Sequence, residues 1–219
     1  GTDDRSLPSS FFLLPSSPLT TRLLDTLTAR RSIRRYRPEP PPDDVLARLL
    51  EAARWAPSAH NRQPWRFAVV RSPQDKDRLA RAMGERLRAD RLADGDDPAA
   101  VAADAERSYA RLTAAPVVIL VCLTMADMDD YPDTRRKKAE YLMAAQSVAM
   151  AAQNLLLAAH AEGLGACWMC APLFCGDAVR ASLDLPEDWE PQALITLGYP
   201  ADAGKPGARR PIESGVVYR

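Results

Sequence analysis

Pro116-Val117-Val118-Ile119-Leu120-Val121-Cys122-Leu123 is an unbroken apolar run behind a proline, the pattern of a strand buried on both faces. The neighbouring segments are of mixed type. Upstream, residues 99–114 and 75–92 read as helices on either side of the loop Asp94-Gly95-Asp96-Asp97-Pro98, and residues 65–70 read as a strand. Downstream, Pro132 and Asp133 precede a long helix over residues 134–162, which Gly163 and Gly165 stop because glycine accepts the left-handed C-cap conformation. A short strand over 166–169, a helix over 175–183 and a last strand over 192–199 follow, with a flexible connection at 204–207. Toward the N-terminus, residues 23–30 form a helix capped by Thr20 or Thr21. Prolines 38, 40, 41 and 42 then break the chain, and Asp43 or Asp44 caps a helix that runs to residue 54 and is ended by Pro57. Strands and helices are mixed without regular βαβ alternation, which argues an α+β fold.

The chain has 219 residues, enough for one sizeable domain with a core of its own. We expect that domain over residues 21–219, preceded by a Pro/Ser-rich arm at 1–20. Phe11-Phe12-Leu13-Leu14 is too short for a signal-peptide core and lacks a cationic flank. Twenty-nine basic and 29 acidic side chains balance, so no global field steers the chain to nucleic acid or an anionic membrane. The apolar segment at 141–161 carries Gln146, Gln153, Asn154 and His160, which a bilayer would penalise, so it reads as a core or interface helix. Four cysteines do not make a disulfide framework in a chain this size, and a cytoplasmic location is the simpler expectation.

Charge concentrates locally in Arg30-Arg31-Ser32-Ile33-Arg34-Arg35-Tyr36-Arg37. The arginine spacing would put two pairs on adjacent turns of a helix end, where guanidinium groups can bind phosphate with Ser32 as a further donor. The plain alternative is a solvated basic helix end. A second constellation is Pro57-Ser58-Ala59-His60-Asn61-Arg62-Gln63-Pro64-Trp65, a proline-bounded loop. Its Asn61 and Gln63 offer donors and acceptors that match the mixed edge of an isoalloxazine ring. The alternative there is an ordinary polar turn. Together the two suit a ligand with a phosphate at one end and a polar heteroaromatic ring at the other, a description that fits FMN. Gly163-Leu164-Gly165-Ala166-Cys167-Trp168 would let backbone N–H groups approach such a ring, or is simply a helix end followed by a buried strand. Arg209-Arg210-Pro211 is a second candidate phosphate contact. Cys167, Cys170 and Cys175 lack the fourth ligand of a structural zinc site, so no metal is expected. No Gly-rich dinucleotide fingerprint and no P-loop occur.

These motifs, in this order over residues 30–211, resemble those of the FMN-dependent nitroreductase superfamily. The resemblance implies a sandwich with a central, mainly antiparallel sheet and an intertwined homodimer with two FMN sites at its interface. It implies that Arg30, Arg31, Ser32 and Arg34 hold the phosphate and ribityl end, with Arg209 or Arg210 closing on the phosphate. Asn61 and Gln63 would lie against the ring, Gly165 and Ala166 would place backbone near N5, and Pro57, Ser58 and Ala59 would come from the facing subunit. Tyr131-Pro132-Asp133, Gln153-Asn154-Leu155-Leu156 and Leu173-Phe174-Cys175 further resemble the C-terminal FMN-binding domain of coenzyme F-420 gamma-glutamyl ligase. The implied activity is ping-pong hydride transfer through flavin N5, from NAD(P)H to an electron-poor small molecule or to a dehydro precursor of coenzyme F-420. Arg62, Arg66, Arg135 and Arg136 are candidate substrate contacts, and the alternative for them is surface solvation. A different class of function is a non-catalytic flavin or deazaflavin binder assisting F-420 biosynthesis.

Overall fold

The computed structural model describes residues 18–219. The expected arm at 1–20 falls almost wholly outside them. Two compact units divide the chain after Arg30. The first contributes helix α1 (Pro18–Ala29), which starts ahead of the threonines expected to cap it.

The second unit, residues 31–219, is built on a four-stranded sheet: β1 (Trp65–Val70), β2 (Val117–Leu123), β3 (Gly165–Met169) and β4 (Glu190–Gly198). The order is β1-β2-β4-β3 and every pairing is antiparallel. All seven residues of β2 are buried. Because side chains alternate along a strand, Val117, Ile119, Val121 and Leu123 face one layer and Val118, Leu120 and Cys122 the other. The first layer is α2 (Asp43–Arg54) and α5 (Thr134–Ala161); the second is α3 (Pro73–Ala93), α4 (Pro98–Ala114) and α6 (Gly176–Ser182). Each buried Val, Leu or Ile contributes on the order of 1.5–3 kcal/mol, so this doubly covered strand anchors the unit. A bulge opposite Val121 and Cys122 marks where Pro191 enters β4 without an amide to donate.

Helix ends follow local chemistry. Ser72, Asp97 and Asp133 cap α3, α4 and α5 by accepting from Asp75 N, Ala100 N and Arg136 N. Pro42, not an aspartate, precedes α2. Asp43 and Asp44 instead occupy its first turn, where their charge suits the helix dipole. Gly163, with φ of 76°, ends α5 as expected, but Gly165 is already the first residue of β3. α5 is long and apolar enough to cross a bilayer by length and composition, yet it buries Ala144, Val148, Ala151, Ala152, Leu155 and Ala159 in the core.

Candidate functional site

The arginine segment is not helical. From Arg31 to Tyr36 the chain is extended and lies beside the sheet: Ser32 bridges Ala166 in β3, and Tyr36 bridges Pro200 just past β4. Ile33 N donates to Ala166 O at 3.0 Å, Arg37 N to Tyr199 O at 2.8 Å, and Ala201 N to Arg35 O at 3.0 Å. The expected helical spacing is therefore absent from this segment. Ile33 points inward, 6% exposed, while Ser32 and Arg34 face out on the same side. The arginine pattern hid this, since arginines at 30, 31, 34, 35 and 37 suit the spacing of a helix end as readily as an extended segment.

Ser32, Arg34 and Arg35 line a hollow of about 600 Å³ together with Arg111, Asp202, Gly204 and Lys205. Four cationic side chains face it against one carboxylate, and that carboxylate is engaged by Arg35 Nε at 3.2 Å. Arg111, in the last turn of α4, and Lys205 were not singled out from the sequence. Arg111 sits at i−5 from the proline before β2, a spacing that signals nothing until the sheet brings α4 beside the arginine segment. Gly204 has φ of 70° and accepts close approach, since a β-carbon there would lie 2.9 Å from Ile33 Cδ1.

The remaining candidates divide. Arg30 closes the first unit, its amide 3.3 Å from Thr26 O. Arg209 and Arg210 are exposed in the C-terminal segment, and Arg209 Nη1 donates to the nearby carbonyls of Gly207 and Ala208. Gly165 and Ala166 do flank the arginine segment. However, the space a β-carbon on Gly165 would need is filled by Ile33, 2.7 Å away, so packing within the chain accounts for this glycine.

The loop at 57–63 is a single 3-10 turn, Ala59–Asn61, held at both ends. Ser58 Oγ accepts from Gln63 N at 3.0 Å, and Ala59 N donates to Ser147 Oγ of α5 at 3.2 Å. His60, Asn61 and Gln63 all have φ near +50°, a left-handed conformation that costs L-residues on the order of 1–2 kcal/mol each. The loop thus holds exposed Asn61 and Gln63 in strained poses that no periodicity reveals.

This loop does not meet the basic hollow within the chain. Trp65 pairs with Leu123 at one end of β2, whereas Ala166 pairs with Leu197, which pairs with Val117 at the other end. The two sites occupy opposite edge strands and opposite ends of the sheet. Strand spacing and rise separate these corners by about 14 Å across and about 20 Å along.

Three of the four arginines assigned to substrate are already paired. Arg62 Nη2 holds Asp129 at 2.7 Å, Arg66 Nη2 reaches Asp127 at 3.5 Å, and Arg136 pairs with Asp133 while lying 5.0 Å from the Tyr131 ring centre. Arg135 is exposed on the first turn of α5. Cys167 is buried in β3, and Cys170 is exposed just after it, its Sγ accepting from Trp168 Nε1 at 2.7 Å. No cluster of three or more metal-ligating side chains occurs among the described residues.

A protein of Thermus thermophilus named NADH dehydrogenase is 35% identical over 227 aligned residues, covering 91% of this chain and 98% of the relative. A 5,6-dimethylbenzimidazole synthase of Rhodospirillum rubrum is 32% identical, covering 79% of each. Among solved structures, a nitroreductase-type protein of Desulfovibrio desulfuricans in complex with FMN is 30% identical with a TM-score of 0.69. That match covers 90% of this chain and 96% of the other. The family model described as "Nitroreductase family" matches residues 27–199, from the end of α1 through the last strand. With the antiparallel sheet and its edge-bound arginine segment inside that span, the chain belongs to the nitroreductase family.

Proposed function

We propose that this flavin oxidoreductase, whose cofactor is FMN, passes hydride from NAD(P)H to a small electron-poor acceptor in two successive visits to one open pocket. The observation that carries this is the basic hollow: its donor set of Ser32, Arg34, Arg35, Arg111 and Lys205 suits a phosphate dianion. Bound FMN would supply the hydride-transfer chemistry. The chain's part is to bind and orient. Ser32 and Arg34 hold the phosphate with Arg111 and Lys205 behind it, and Arg30, Arg31, Arg209 and Arg210 remain proposed additions to that set. Asn61 and Gln63 present fixed amides to the ring edge, with Pro57, Ser58 and Ala59 beside them. β3 is an edge strand, so its outer backbone is open to a ring beyond the stretch taken by Ile33.

Because hollow and loop lie at opposite corners, the loop serving one flavin would come from a second copy of the chain. This supports a homodimer whose sites are shared.

The acceptor follows from the charges around the loop. Arg62, Arg66 and Arg136 are satisfied by the chain's own carboxylates, which favours a neutral acceptor such as a quinone or nitroaromatic. A dehydro precursor of coenzyme F-420 would need those arginines released for its phosphate and carboxylates, and its support is the sequence motifs alone. The test is identification of the flavin released by heat, followed by anaerobic reduction with NADH and with NADPH and reoxidation by each acceptor. Flavin that neither nicotinamide reduces would overturn the reading in favour of a binding module.

A further inference from the structure

We infer that the hydroxyl of Tyr36 is a positioning group for the cofactor's phosphate, acting through the backbone of Ile33. The inference rests on the FMN reading above and names a residue outside the proposed contact set.

Tyr36 is partly buried, with its hydroxyl inside the protein within reach of Ile33 O, Thr196 Oγ1 at 2.8 Å and Thr196 O at 3.0 Å. A phenol has one proton, and the shortest contact, to the Ile33 carbonyl, claims it. The Thr196 hydroxyl, fully buried in β4, then donates to the phenol oxygen. Burial holds this phenol well above the ordinary tyrosine range, so it stays a donor at any working pH.

This bond matters because of where Ile33 stands. Its N–H is held by Ala166 O and its C=O by Tyr36, so the peptide planes on both sides of Ile33 are fixed. Those planes lead to Ser32 in one direction and Arg34 in the other, the two residues whose side chains face the basic hollow. The Ile33 side chain sits between Gly165 and Gly204, each too close to accept a β-carbon without a shift. Sliding and tilting are thus blocked by packing, while twist about the backbone is blocked by Tyr36. Without the hydroxyl, the Ile33 carbonyl loses its partner, and the Ser32 hydroxyl and Arg34 guanidinium lose a common orientation.

The test compares FMN with riboflavin, which shares the ring and ribityl chain but lacks the phosphate. Dissociation constants for both are measured on the full chain stripped of flavin, for wild type, Tyr36→Phe and Thr196→Val, beside thermal melting. Competition by inorganic phosphate is measured as well. Tyr36→Phe should weaken FMN by about 5- to 30-fold, the effect of losing one or two kcal/mol, and leave riboflavin within a factor of two. Thr196→Val should show the same selectivity to a smaller degree, and phosphate should compete less well against the Tyr36→Phe protein. Equal weakening of both flavins would mean a merely structural role and overturn the inference, as would unchanged FMN affinity. A wild-type chain that binds neither flavin would instead overturn the FMN reading itself.

Discussion

Ile33 occupies the space that a β-carbon on Gly165 would need, with Ile33 Cβ and Cγ2 each 2.7 Å from that point. The arginine segment therefore seats on β3 through a side chain pressed against bare backbone. Gly165→Ala should cost about 1–3 kcal/mol by overpacking, lowering the melting temperature by roughly 2–12 °C. Adding Ile33→Ala should recover only part, because Ile33 Cβ is itself in the way. Calorimetry of the two variants checks this, and an unchanged melting point would show that the segment can lift freely.

Arg48 of α2 ties down the residue that closes α5. Its Nε and Nη2 donate to the two carboxylate oxygens of Glu162 at 2.8 and 3.0 Å, and its Nη1 donates to Asp44 at 2.8 Å. Hydrogen bonding to Arg48 holds both carboxyls below their usual range. A depressed folded pKa stabilises above the unfolded value, around pH 4, and that contribution is lost as pH falls through the folded value. Arg48→Ala should melt lower at neutral pH and show a smaller further loss between about pH 5 and 3. Both side chains reach solvent, so 1 M salt should shrink the difference. Melting curves across pH at two salt concentrations decide it.

Arg111 should prove to be a phosphate contact. Its loss removes one charge-assisted interaction, so Arg111→Ala should raise the FMN dissociation constant by roughly 10- to 100-fold. The salt dependence of binding should flatten at the same time. Flavin titrations at 50 and 300 mM salt would show this; an FMN affinity equal to wild type would remove Arg111 from the site.

The four cysteines should separate by reactivity. Burial in β2 pushes the Cys122 thiol up to about 12, burial raises Cys175 as well, and Cys167 is enclosed in β3. Cys170 is exposed. A disulfide reagent at neutral pH should therefore titrate one fast thiol in the native protein and four after unfolding, with Cys170→Ser removing the fast phase. Because Trp168 Nε1 donates to Cys170 Sγ, the modification should also shift tryptophan emission.

What the sequence made legible was whatever carries a period or a punctuation mark. The run at 116–123 revealed a doubly covered strand because both faces are apolar, and residues 65–70 match β1 at both ends. The arginine segment is extended where its spacing suggests a helix end, because arginines at 30, 31, 34, 35 and 37 fit either form and only the bridges at Ser32 and Tyr36 settle it. Arg111 and Lys205 were invisible for another reason. They join the hollow through the docking of α4 and the return of the chain after β4, contacts that no local pattern encodes. The amides of the 57–63 loop were found by residue type, but their left-handed backbone was not, since Asn, His and Gln do not announce it as glycine would.

The diagonal separation of the hollow and the loop has a genetic consequence in the proposed dimer. A chain damaged at Arg34 and a chain damaged at Gln63 would each build only defective pockets when paired with itself. Paired with each other, they would concentrate both lesions in one pocket and leave the second wholly intact. Two inactive alleles of such a protein would complement one another, restoring at most half the sites of every mixed dimer.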